Sequence, residues 1–110
     1  MQKLIFFGLL ISLTANASYT ESTKIQEVLV GNDFGTKVLL ELTNKPQPAS
    51  GCNNNSRYSY AFDAGTESGK ITLSVVLSAY VAQKEVYISG ADVCNVYSGI
   101  EDMNSIRARD

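Results

Sequence analysis

The chain has 110 residues, two cysteines, no histidine and a formal net charge of −2. Without histidine there is no Ser-His-Asp or Cys-His nucleophile and no His-based metal centre. The mildly acidic balance and singly scattered basic residues exclude the electrostatic footprint of a nucleic-acid binder.

The chain opens MQKLIFFGLLISLTANA. Lys3 gives a positive start, Leu4 to Leu13 an apolar run, and Ala15-Asn16-Ala17 a small-x-small cleavage site. This pattern predicts a secretory signal peptide over 1–17, cut before Ser18. The run is too short to span a bilayer, and no later stretch is long and apolar enough to do so. The expected product is one domain, 18–110, periplasmic or secreted, with no membrane insertion after cleavage.

Residues 18–23 are polar and read as a mobile lead-in. KIQEVLVG (24–31) is β-branched and apolar enough for a first strand, stopped at Gly31. NDFG (32–35) reads as a turn. TKVLLEL (36–42) is a second strand with Val38, Leu40 and Leu42 on one face, so the first two strands form a hairpin. The stretch 43–56 holds both prolines and reads as a loop. RYSYAFD (57–63) alternates as a third strand, with Tyr58, Tyr60 and Phe62 on one side.

GKITLSVVLSAYV (69–81) fits two periods. Period two aligns Ile71, Leu73, Val75, Leu77, Ala79 and Val81. Period 3.6 aligns Leu73, Val76, Leu77 and Tyr80. A strand of that length would be about twice the usual five or six residues. Thr66 stands where an N-cap belongs, and Glu67 lies in the first turn, where the helix dipole favours an anion. The spacing therefore predicts a helix over 67–82. Its other face, Ile71, Ser74, Val75, Ser78 and Ala82, is small and apolar; it suits either an intermolecular contact or packing on a loop. Beyond it, KEVYISG (84–90) is a fourth strand, 91–99 a turn-rich connection, and 100–110 a fifth strand with Ile106 its clearest core position. Arg107 and Arg109 share one face of that strand and read as a solvated edge.

In an oxidising compartment Cys52 and Cys94 read as a disulfide. A catalytic thiol would need an activating base, and there is no histidine to supply it. Glu101 and Asp102 are neighbours on a strand and point to opposite faces, so they are not an acid–base pair. GTESG (65–69) opens the helix, and capping explains it better than an anion cradle. No enzyme activity, metal or cofactor is expected.

The order strand, strand, strand, helix, strand, strand is that of a five-stranded OB-fold, a Greek-key barrel that is mainly β with one helix. In that barrel strands three and five are parallel neighbours. Cys52 precedes the third and Cys94 the fifth, so the topology brings the two thiols together. A meander with a helix packed on it also fits the order.

The leader, the disulfide, the central helix and the stretches STKIQEVLVGNDFGTKVLLEL and VVLSAYVAQKEVYISG resemble the B subunits of pentameric A-B toxins, most of all that of subtilase cytotoxin and its small secreted relatives. The resemblance rests on element order and hydrophobic pattern. It implies a ring-forming homo-oligomer, a pentamer, whose helices line the ring centre and which binds cell-surface glycans. Sugar ligands are held by amide and carboxylate side chains with an aromatic face. CNNNSRYSY concentrates such groups, so the ligand-binding candidates are Asn53, Asn54, Asn55, Arg57 and Tyr58, with Phe34 on the hairpin turn and Tyr97 in the last connection as exposed aromatics. Loop asparagines and barrel tyrosines are the plainer account of the same residues. A different functional class also fits: a monomeric periplasmic structural or inhibitory protein that binds another protein through a strand edge.

Overall fold

The computed structural model describes residues 17–109. Apart from Ala17, the expected signal peptide lies outside the described residues. The elements are β1 (Tyr19–Thr23), β2 (Ile25–Leu29), β3 (Lys37–Leu42), β4 (Tyr60–Asp63), α1 (Glu67–Ala82), β5 (Glu85–Gly90) and β6 (Glu101–Arg109), with a short 3-10 turn at Asn32–Phe34. The protein is mainly β with one helix. The strands form one mixed sheet in the order β1-β5-β6-β4-β3-β2. All neighbours are antiparallel except β4 and β6, which are parallel.

Six strands are found among the described residues, not the expected five. The extra one is the polar stretch read as a mobile lead-in. β1 pairs with β5, Tyr19 opposite Ser89 and Thr20 opposite Ile88. Thr20 and Thr23 of β1 are buried, as is Ser18 just before it. Small hydroxyl residues fill that edge where apolar ones were sought, so hydrophobic alternation was silent. β1 and β2 are separated by Lys24 alone, yet stand at opposite ends of the sheet order. At that point the Thr43 N–H donates to the Lys24 carbonyl at 2.9 Å, and the Lys24 N–H donates to Thr43 Oγ1 at 3.1 Å.

Val38, Leu40 and Leu42 are buried on one face of β3, as their alternation predicts. They join Ile25, Tyr60, Phe62, Val86 and Ile88 in a core roofed by Val76 and Ala79 of α1. Removing such side chains from water supplies the main driving force for the fold, about 25 cal/mol per Å² of apolar surface. The helix runs over the expected 67–82. Thr66 caps it, its Oγ1 accepting from the Gly69 N–H at 2.9 Å. Gln83, in the left-handed conformation at φ 53, ends it.

The buried stripe of the helix is rotated from the expected one. Val76 and Ala79 are buried and Leu73 and Tyr80 pack beside them, but Leu77 is 44% exposed. The helix is apolar nearly all round, so its pattern specifies orientation weakly. Small residues decide it: Gly69 and Ala79 let the helix come close to the strands. Ile106 also differs from expectation. It is half-buried at the core margin, while Ile100 and Glu101 at the start of β6 are fully buried.

The two cysteines form a disulfide with Cα atoms 6.0 Å apart. β4 and β6 run parallel with Tyr60 opposite Glu101. The loops before them therefore reach the same end of the sheet, and Cys52 and Cys94 lie in those loops. No helix among the described residues is long and apolar enough to cross a membrane. The disulfide is compatible with a secreted or periplasmic protein.

Candidate functional site

The face of the sheet away from α1 carries a second apolar cluster of Leu39, Ala61 and Ile100. Leu29, Phe34, Tyr58, Val96 and Tyr97 pack over it. Tyr58 was expected beside Tyr60 and Phe62. It lies instead on this opposite face, because β4 begins only at Tyr60 and the alternation does not extend back past Ser59. Phe34 and Tyr97 form a tilted ring pair with centroids 5.9 Å apart. Both are half-buried rather than free-standing.

The asparagine run shapes the loop that carries it. Asn55 Oδ1 accepts from the Arg57 and Tyr58 N–H groups at 2.8 and 2.7 Å. Asn53 Oδ1 accepts from the Asn55 N–H at 3.0 Å, and its amide donates to the Ser59 carbonyl at 3.1 Å. The Asn54 N–H donates to the Gly99 carbonyl at 3.0 Å, tying this loop to the last connection beside the disulfide. Lys45 Nζ donates to the Ser56 carbonyl across the loop. Asn53, Asn55 and Tyr58 line a depression of about 150 Å³ together with Lys45, Gln47 and Ser59. A wider hollow of about 380 Å³ beside Tyr19 and Pro48 gathers none of the candidates. Its size alone is no argument for chemistry there.

Two residues that sequence reading missed complete the site. Glu27 and Glu41 stand directly opposite each other on β2 and β3. Like charges so placed repel. Arg57 lies between them, Nη2 at 2.6 Å from Glu27 and Nε at 3.1 Å from Glu41. The Tyr58 hydroxyl donates to the other Glu27 oxygen at 2.8 Å. The usable signal was the hairpin register, which places both carboxylates on one face.

The Tyr58 hydroxyl and the Arg57 charge hold Glu27 below the usual carboxylate range. Hydrogen bonding to Glu41 and the Glu27 charge raise Arg57. Burial and the hydrogen bond to Glu27 raise Tyr58. A depressed carboxylate stabilises the fold above its unfolded pKa, and the contribution is lost as pH falls through the folded value. Tyr58→Phe removes the hydroxyl and keeps the ring. The Glu27 titration midpoint, read by carboxyl-carbon NMR, is expected to rise toward the ordinary carboxylate range. An unchanged midpoint would separate the hydroxyl from the shift.

Among the described residues there is no cluster of His, Cys, Asp and Glu able to hold a metal ion. Comparison of the chain with protein-family models, curated proteins and solved structures finds no match.

Proposed function

We propose that this chain is a secreted, non-enzymatic OB-fold binding module that recognises a glycan, as the B subunits of pentameric toxins do. The observation that carries the reading is the convergence of Asn53, Asn55, Tyr58 and Lys45 on one depression, next to the charged fork of Arg57 and its two carboxylates. Amide and ammonium groups lining one depression with a tyrosine suit the alternating hydroxyls and C–H patches of a sugar ring. Support for the barrel comes from the sheet order. With β1 and β2 taken as two halves of one bent strand, the order becomes that of the OB-fold, whose ligands bind on strands two and three and the adjoining loops. In this protein those strands are β3 and β4, and the depression lies in the loop between them.

The same reading gives α1 a use. Ile71 and Val81 are largely exposed, and Leu77 lies with them. In a homo-oligomer this apolar face meets its copies at the ring centre. The strand-edge alternative has less support, because the two strands at the ends of the sheet order meet at Lys24.

A glycan array probed with the oxidised chain 18–110 tests the reading. The expected result is a restricted set of positive sugars, with signals lost in Tyr58→Ala and reduced in Arg57→Ala. A blank array from the native protein, or a Tyr58→Ala pattern identical to native, would remove it.

A further inference from the structure

Glu101 opens β6 and is completely buried. Arg57 pairs with Glu27 and Glu41, not with Glu101. Its carboxylate is instead met by donors from the two strands' neighbours. The Asp92 N–H donates to Oε2 at 2.8 Å, and the Ser18 N–H donates to the same oxygen at 3.3 Å. The Ser18 hydroxyl donates to Oε1 and lies 2.6 Å from the Tyr60 hydroxyl. The strand opposite makes room for this group: a Cβ on Gly90 would overlap the Glu101 carboxylate. The Gly90 N–H donates to the Ser18 carbonyl at 2.8 Å, which fixes Ser18 over the site. Holding a carboxylate out of water with no cation beside it is costly.

We propose that signal-peptide removal supplies the missing cation: the new α-ammonium of Ser18 forms a buried ion pair with Glu101 and locks β1 onto β5. The inference rests on the cleavage site of the proposed secreted reading. Hydrolysis of the Ala17–Ser18 bond adds water across it. The carboxylate leaves on Ala17 with the leader. Ser18 keeps an amine that takes up a proton at neutral pH, its ordinary pKa being about 8. Its nitrogen already stands within reach of Glu101 Oε2, so no rearrangement is needed. The precursor has an uncharged peptide N–H at that place. Processing and final stability are thereby linked through one buried charge.

The test uses chains with defined N-termini. The processed chain, 18–110, is compared with the same chain retaining Ala17, each with native Glu101 and with Glu101→Gln. Retaining Ala17 moves the charge one residue away. It is expected to raise the unfolding equilibrium constant about a hundredfold beside native Glu101, and less than about threefold beside Glu101→Gln. Equal effects in the two backgrounds would overturn the proposal. If Glu101→Gln does not fold, the rate at which an amine-selective reagent labels Ser18 in the native protein decides. A rate far below that of a free peptide amine supports the pair, and a peptide-like rate overturns it. Intact mass of the exported full-length chain separately reports whether cleavage falls before Ser18. A different first residue would refute the cleavage reading, whatever the defined chains show.

Discussion

Gly69→Ala is expected to destabilise the protein by about 2 kcal/mol, although alanine is the better helix former by about 1 kcal/mol. Gly69 lies in the first turn of α1 and is buried. β4 ends at Asp63, and the chain needs only the short turn through Thr66 to start the helix. The helix start therefore lies directly against the strand end, and a Cβ at Gly69 would overlap the Asp63 backbone carbonyl. A carbonyl cannot swing aside as a side-chain tip can. Inserting atoms into such a contact costs about 1–3 kcal/mol, and the absence of a flexible neighbour puts this site at the upper end. Overlap wins over propensity, and the midpoint of thermal unfolding should fall by about 10 °C. Ser78→Ala, on the exposed side of the same helix, lacks the overlap and should be neutral or slightly stabilising. Circular dichroism melts of the two variants check this. Equal, small changes in both would mean that the helix does not start against Asp63.

Removing the disulfide should have the larger effect. Cys52 and Cys94 are 42 residues apart in sequence. Closing a loop of that size restricts the unfolded chain by about 4 kcal/mol in the chain-entropy description. A domain this small holds only about 5–14 kcal/mol in total, so the loss is a large fraction. The bond also joins the loop carrying Asn53 and Asn55 to the connection carrying Tyr97 and Gly99. Urea unfolding of the Cys52→Ala, Cys94→Ala double variant should show a much lower midpoint and a somewhat steeper slope, because the unfolded chain without its cross-link exposes more surface. A midpoint within error of native would mean that the two loops are held by their hydrogen bonds alone.

These effects bear on what could be read in advance. The helix was legible to its end residues, because a Thr cap, an acidic first turn and excessive length for a strand all agree. The side it buries was not, since apolar residues surround it and Gly69 and Ala79 choose the contact. The β3 core face was legible from Val38, Leu40 and Leu42. β1 was not, because Ser18, Thr20 and Thr23 are buried as hydroxyls. The pairing of Cys52 with Cys94 was legible from the expected compartment and from the parallel strands that follow them. Of the candidate site, the Asn53–Tyr58 run was found by composition. Glu27 and Glu41 were missed because their meaning lies in hairpin register. Glu101 was read only as one of two strand neighbours pointing to opposite faces; the packing of Ser18, Tyr60 and Gly90 around it gives it a role.

The proposed glycan site is tested most directly by NMR. The isotopically labelled, oxidised chain 18–110 would be titrated with a panel of mono- and oligosaccharides, and the backbone amide shifts followed. The account predicts that at least one sugar moves the amides of Asn53, Asn55, Tyr58 and Ser59, with Lys45, and leaves β5 and α1 still. Shifts confined to another surface, or none across the whole panel, would contradict it.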